Sequence, residues 1–283
     1  MLAVLVMPIR ACKLIRKMRG GAQAHLMEAE DGGFYVVKFI NNPQHRRILV
    51  NEWLAGALLR YLQIHAPDTA IIELTEDFIA DNPELYLSVG SKREPIPAGL
   101  HFGSRLAVHP DRVAIYDFLP DKLLGKVENR ADFLGILVFD TWIGNADSRQ
   151  AVFFRARAKT WTPLKGEAPA RVGFFAHMID HGFAFNGASW DFQDLPIQGL
   201  YFRTSVYDEA LSLDSFQPWL SMVENFPLAV IDAAWKQIPS VWLQGDEDQL
   251  ERLLENLLKR KTRVGSLISE ARRKRPTAFA NWR

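Results

Sequence analysis

Four charged side chains in this chain sit where an ordinary fold has little use for a charge. Lys38 lies in Phe34-Tyr35-Val36-Val37-Lys38-Phe39-Ile40, a β-branched and aromatic run that reads as a strand. Alternation puts the lysine on the same side as Phe34, Val36 and Ile40. A lysine on a buried face needs an anion, because an unpaired buried charge is too costly. Glu52 poses the mirror problem, falling after Leu49 and before Gly56 on the inward face of a helical stretch over about 44–63. A strand lysine and a helix carboxylate meet if the helix packs on the strand. The alternative is a lysine that snorkels and a glutamate that stays solvated.

Asp147 and Asp180 form a second set. Asp147 ends Gly144-Asn145-Ala146-Asp147, directly after an apolar stretch, where Gly-Asn is also ordinary helix-ending chemistry. Asp180 closes the apolar Met178-Ile179 and precedes His181-Gly182. A strand end is a usual place for a metal-binding carboxylate, although Asp-x-Gly is equally a turn composition. Upstream, Gly20-Gly21-Ala22-Gln23 lets the backbone approach a phosphate closely and donate its N–H groups; paired glycines also occur in plain turns. The chain thus runs in order through glycine loop, strand lysine, helix glutamate, buried helix, loop aspartate, two strands and Asp-x-Gly.

The elements needed to hold these residues are legible around them. Asp31-Gly32-Gly33 is a hairpin turn ahead of the lysine strand. Several short strand-like pieces fill 69–119, among them 85–89 and 113–118. Residues 130–144 are apolar almost all round, the mark of a helix buried inside a lobe. Strand-like runs follow at 151–155 and 173–179, and the polar, proline-bearing stretch 158–170 between them reads as an exposed hairpin loop. Asp246 with Gln249 suggests a capping box opening a helix striped by Leu250, Leu253, Leu254, Leu257 and Leu258. A change of character at Pro120 divides a sheet-rich lobe with one long helix, residues 1–119, from a mainly helical lobe, residues 120–283.

Composition narrows the class. The chain has 283 residues, 48% of them hydrophobic, and 34 basic against 33 acidic side chains for a net charge of +1. That balance argues against a globally basic nucleic-acid binder. The single Cys12 excludes an intramolecular disulfide framework and any multi-thiolate metal site. The apolar opening carries its positive charges after rather than before it, unlike a signal peptide. No apolar run reaches the roughly 20 residues of a membrane span. A cytoplasmic protein without a membrane partner is expected. The basic stretch Lys259-Arg260-Lys261, Arg263 and Arg272-Arg273-Lys274-Arg275 reads as solvated helix surface, with a nucleic-acid or partner surface as its alternative.

With these motifs in hand, the chain resembles the HipA-like kinases, and more distantly the phosphatidylinositol 3- and 4-kinases. The matching stretches are GGAQAHLMEAEDGGFYVVKFINNPQ, NEWLAG, FDTWIGNADSRQAVFFR and MIDHGFAF. The resemblance implies an α+β, two-lobed protein-kinase-like fold using ATP and Mg²⁺ to phosphorylate a protein Ser/Thr hydroxyl. It implies that Lys38 contacts the phosphates and Glu52 holds it. Asp147 would take the proton of the attacking hydroxyl, and Asp180 would bind the metal. Arg149 would face the phosphates, Gly20, Gly21, Ala22 and Gln23 would cradle them, and Tyr116-Asp117-Phe118 would form the hinge that meets adenine. The chain departs from the family at Val152, where an asparagine usually supplies a second metal ligand; Gln150 or Asn145 is then the candidate to lend an amide oxygen. That departure keeps a non-catalytic nucleotide-binding module open as an alternative; AMP transfer is another, since kinase-like folds can bind ATP in the reverse sense. The protein substrate is unidentified, and an antitoxin-like or regulatory partner is a further expectation.

Overall fold

The computed structural model describes residues 6–158, 172–195 and 198–283. The expected exposed loop at 158–170 lies almost wholly outside them. The N-terminal part is a closed barrel of five strands in the order β1-β2-β3-β7-β4, formed by β1 (Ile9–Lys17), β2 (His25–Ala29), β3 (Phe34–Lys38), β4 (Thr69–Leu74) and β7 (Gly99–Arg105). A helix, α1 (Arg47–Tyr61), joins β3 to β4, and α2 (Glu76–Asp81) follows β4. The small hairpin β5 (Tyr86–Val89) and β6 (Lys92–Pro95) stands outside the barrel sheet. Asp31 builds the β2–β3 turn, its carboxylate accepting from Gly33 N–H at 2.9 Å and Tyr35 O–H at 2.7 Å.

Alternation in β3 follows the sequence expectation for Lys38, but the face it shares is not the barrel interior. Tyr35 and Val37, with Phe39 beyond the strand, fill the barrel interior together with Met27, Ile72 and Leu74. Lys38 shares the opposite face with the half-buried Phe34 and Val36, and becomes buried only where α1 and the segment at Asp180 cover it. The lysine is therefore not a charge inside the barrel core.

The C-terminal part holds a three-stranded sheet, β10-β9-β8, from β8 (Ile115–Tyr116), β9 (Gln150–Arg157) and β10 (Val172–Ile179). Helices α3 (Asp121–Leu124) and α4 (Asp132–Ile143) precede β9. The helices 219–224, 228–235, 240–243, 247–260 and 264–274 complete the chain. The result is a mixed α+β architecture, sheet-rich at its N-terminal end and helical towards its C-terminus. α4 is buried along its length, as its unbroken apolar sequence requires, and shares one core with α1 and the later helices. No helix among the described residues is long and apolar enough to cross a membrane.

Two expectations change here. The strand leaving the barrel is β7, ending at Arg105, whereas Tyr116 pairs with Phe153 in the other sheet. The connection between barrel and second sheet thus precedes Tyr116-Asp117-Phe118, and the exposed side chains of Tyr116 and Phe118 belong to the C-terminal part. Short strands of similar composition cannot be assigned to a sheet from sequence, because pairing partners are set by distant chain. The capping box at Asp246 is also absent: its side chain makes no cap hydrogen bond. Its carboxylate instead takes Arg47 Nη2 at 2.7 Å and Arg46 Nη2 at 2.8 Å, pinning the start of α1 to the C-terminal helices.

His101 gives the fold a measurable pH response. It is fully buried in β7, accepts Ile40 N–H at Nδ1 (3.1 Å), and donates from Nε2 to the Pro97 carbonyl (3.1 Å). Burial pushes its pKa down to about 4. The unfolded chain binds the proton near pH 6.5 and the folded chain does not, so stability is full above that pH and declines as pH falls towards 4. This histidine alone is expected to remove about 2 kcal/mol between pH 7 and pH 5. His25 and His177, both held low mainly by burial, act in the same sense. Denaturant unfolding at the two pH values measures the loss, and His101→Gln should show a smaller difference between them.

Candidate functional site

Three elements converge on the ammonium of Lys38. Its Nζ donates to Glu52 Oε1 of α1 and, at 2.8 Å, to Asp180 Oδ1 just past β10. Glu52 Oε1 also accepts the backbone N–H of His181 at 3.1 Å, so the helix carboxylate ties lysine and Asp-x-Gly segment together. Burial alone would lower the Lys38 pKa, but the carboxylates of Glu52 and Asp180 outweigh it and hold the ammonium above the ordinary lysine range. Burial likewise would raise Asp180, yet Lys38 beside it keeps the carboxyl below the usual aspartate range. Asp180 is thus an ionised carboxylate at neutral pH.

The backbone at Asp180 is unusual. Its φ of 59° is left-handed, a conformation that persists in a non-glycine residue only where the surroundings fix it. Two contacts supply that constraint. A Cβ at Gly182 would lie 2.7 Å from Ile48 Cγ2, so the segment packs directly on α1. Asn51, fully buried next to Glu52, donates to the carbonyls of Gly182, Ala184 and Gly187 and accepts from Trp190 Nε1 at 2.7 Å.

The Asp147 loop is held from below by a residue that sequence reading passed over. Asp140, in the last turn of α4, accepts Arg149 Nε at 2.8 Å on Oδ2, while Oδ1 takes Arg149 Nη2 and Asn145 Nδ2. Neither Asp140 nor Arg149 has any exposed side-chain surface. Asn145 Oδ1 in turn accepts the Asp147 N–H at 3.1 Å. Gly144 permits the sharp exit from α4 by its left-handed φ of 62°. From the far side, Arg149 Nη1 donates to the Ile179 carbonyl at 2.8 Å and to His181 Nδ1 at 3.2 Å. Ala146 N–H bonds the Phe183 carbonyl at 3.0 Å. The loop of Asp147 and the turn of Asp180 are therefore laced into one unit. Burial, then Arg149, keeps His181 well below the usual histidine range, so a neutral imidazole accepts from the guanidinium.

Lys38, Glu52, Asp180 and Gln150 come together: Gln150 Nε2 lies 3.2 Å from Asp180 Oδ2. Arg149 does not face outward to phosphates, being consumed by Asp140, Ile179 and His181. Asn145 has both ends of its amide engaged and lends no oxygen. Val152 stands within β9 opposite His177, whereas Gln150, where β9 begins, is opposite Ile179 and next to Asp180. The glycine loop is the β1–β2 turn, closed by Gln23 N–H on the Gly20 carbonyl at 3.1 Å. Gly20 has φ 119° and open space around it, and Gly21 and Ala22 complete the turn. The Gln23 side chain points elsewhere: it exchanges hydrogen bonds with the backbone of Ser88 in β5 and accepts from Lys17 at 2.8 Å. Asp140 and Asn51 were the missed residues. Their signal was a polar side chain set among apolar neighbours of a helix, Asn51 after Leu49-Val50 and Asp140 after Val138-Phe139.

Residues 12–266 match the sequence model of the HipA-like kinases, a span covering most of the chain, and the protein belongs to that family. Among solved structures it is similar to the Golgi casein kinase, at 13% identity over 95% of this chain and 74% of that one, with a TM-score of 0.48. The Golgi casein kinase with Mn/ADP bound gives 15% identity over 96% and 74%, with a TM-score of 0.49. A Helicobacter pylori proinflammatory kinase, CtkA, gives 13% identity over 98% of each chain, with a TM-score of 0.40. No curated protein matches the sequence.

Proposed function

We propose that this protein is an ATP- and Mg²⁺-dependent kinase that transfers the γ-phosphoryl group to a Ser/Thr hydroxyl of a protein substrate. The observation that carries the reading is the ion-paired group Lys38–Glu52–Asp180 beside the laced loop of Asp147 in a member of the HipA-like kinase family. Phosphoryl transfer asks for positioning and charge neutralisation more than for covalent chemistry, and these few groups supply both.

The donor set fits a hard divalent ion held jointly with phosphates. Asp180 is ionised, and turning the exposed Gln150 amide would place its oxygen where Nε2 now bonds Asp180 Oδ2. Among the described residues no group of three or more His, Cys, Asp or Glu side chains forms a metal cage. Mg²⁺ commonly binds through one or two carboxylates plus substrate phosphates. Bound there, the ion would neutralise phosphate charge. Gln150, three residues after Asp147, takes the part that the family usually gives to an asparagine five residues after, because Val152 has no ligand atom and the Gln150 amide already reaches Asp180.

Lys38 then binds phosphate oxygens, with Glu52 fixing its direction. The backbone of Gly20 and Gly21 covers the phosphates from the barrel side. Asp147, whose loop Asn145 and Arg149 hold in place, orients the acceptor hydroxyl and takes its proton. Arg149 and Asp140 act through Asp147 and Asp180 and are positioning residues.

Intact-mass spectrometry of the protein with Mg²⁺-ATP and candidate protein acceptors tests the reading. A phosphate-sized gain on chain or acceptor is expected, and it should vanish with Asp147→Ala. An AMP-sized gain would replace phosphoryl transfer by nucleotidyl transfer. Absence of ATP binding by calorimetry would remove the reading altogether.

A further inference from the structure

A cavity of about 480 Å³ lies on the α1 side of the junction between the barrel and the C-terminal sheet. None of Lys38, Glu52, Asp147 or Asp180 lines it. Its walls come from the end of α1, the connection from α1 to β4, the exit from β7 and one residue of β10. The volume falls within the range of small-molecule sites, roughly 300–1,000 Å³.

The chemistry of the lining is asymmetric. Arg60 and Arg105 both belong to it, and Asp68 is the one acidic side chain among the lining residues. The arginines are weakly held: Arg60 is 3.8 Å from Asp68, Arg105 is 3.7 Å from Asp31, and their side chains are 61% and 46% exposed. A guanidinium held this loosely is available to a better-placed anion, which it binds in a planar, two-pronged fashion. The imidazole of His65 is already committed to Asp132, at 2.6 Å, and His177 stays neutral because burial holds it far below the ordinary histidine range, at about 3. The positive charge among the lining residues therefore comes from the two arginines, of which Arg105 would turn from Asp31 and the Tyr35 ring to meet a ligand. The apolar part of the lining comes from Ile64, Pro67, Leu106 and Ala107.

We propose that this cavity is a binding site for a small anionic molecule with a flat apolar body, of the aryl carboxylate class. The anion engages Arg60 and Arg105 at the rim, and the ring lies on the apolar wall. The proposal stands on the cavity alone and does not depend on the catalytic reading.

The test uses 1-naphthoate as probe and its neutral analogue 1-naphthamide as control, each titrated into the 283-residue chain and followed by NMR. Naphthoate is expected to bind the parent with a sub-millimolar Kd. Arg60→Glu, an exposed substitution, should weaken it at least tenfold, and Ala107→Trp, which fills the cavity, should abolish it. Naphthamide should bind at least tenfold more weakly than naphthoate. Calorimetric melting of both variants, showing transitions like that of the parent, guards against a folding artefact. Absence of naphthoate binding to the parent would overturn the proposal, as would binding indifferent to both variants. Equal binding of naphthamide would overturn the anionic class of the ligand.

Discussion

Replacing Asp140 by alanine is expected to cost the protein about 3–5 kcal/mol of stability, the penalty for leaving a fully buried guanidinium without its anion. Arg149 has no solvent to turn to: it is wholly covered, and its remaining partners are a carbonyl and a neutral imidazole. The same substitution releases Asn145, whose Nδ2 loses Asp140 and whose Oδ1 is the acceptor for the Asp147 N–H. Stability and activity should therefore fall together in the single variant, which by itself proves nothing about positioning. The double variant Asp140→Leu/Arg149→Met separates them. A buried ion pair exchanged for apolar side chains of similar volume is often neutral for stability, so denaturant unfolding should return most of the lost free energy. Phosphoryl transfer should remain at least tenfold below the parent, because Ile179 and His181 lose the guanidinium that ties the Asp180 turn to the Asp147 loop. Full recovery of transfer in the double variant would show the pair to be a folding element only.

The sequence made the main elements of this site readable for local reasons. The helix bearing Glu52, the apolar-all-round helix before Gly144 and the two strands ahead of Asp180 announce themselves through periodicity and turn residues, and they occur at Arg47–Tyr61, Asp132–Ile143, Gln150–Arg157 and Val172–Ile179. What failed were inferences that depend on distant chain. Alternation places Lys38 on one face with Phe34 and Val36, as the structure has it, but not which face becomes the barrel interior; closure decides that, and it depends on β7, more than sixty residues on. The resemblance sets the hinge at Tyr116-Asp117-Phe118, at the end of the strand-like run 113–118; a strand does lie there, Ile115–Tyr116, but in the other sheet. Asp246 and Gln23 were assigned to local roles, a cap and a phosphate loop, and each found a partner elsewhere, in Arg47 and Ser88. Polar side chains with several possible acceptors are the least local part of a fold, since the geometry that selects among partners is tertiary.

Lys38→Met is expected to lower the rate of phosphoryl transfer by roughly 10²- to 10³-fold, the scale for removing one preorganised charged donor from a phosphoryl or oxyanion site. The loss has two origins. One is the missing contact to phosphate oxygens. The other is electrostatic: Glu52 and Asp180 now face each other across the position of the lost ammonium. Glu52 is buried, and without Lys38 its charged form has only the His181 N–H to support it, so it takes up a proton at neutral pH. A carboxyl whose folded pKa is raised stabilises the fold below the unfolded value, about 4.3, and that contribution is lost as pH rises towards the folded one. Lys38→Met should accordingly lose stability between pH 5 and pH 7 relative to the parent, where the buried histidines push the other way. Adding Glu52→Gln removes the titrating group and should erase that difference while leaving transfer as slow as in the single variant. Unfolding curves at the two pH values, paired with initial rates of phosphate incorporation by mass spectrometry, read both halves. If the double variant recovers transfer as well, the slow step in Lys38→Met was the disturbed Glu52–Asp180 pair, and Lys38 does not contact the phosphates.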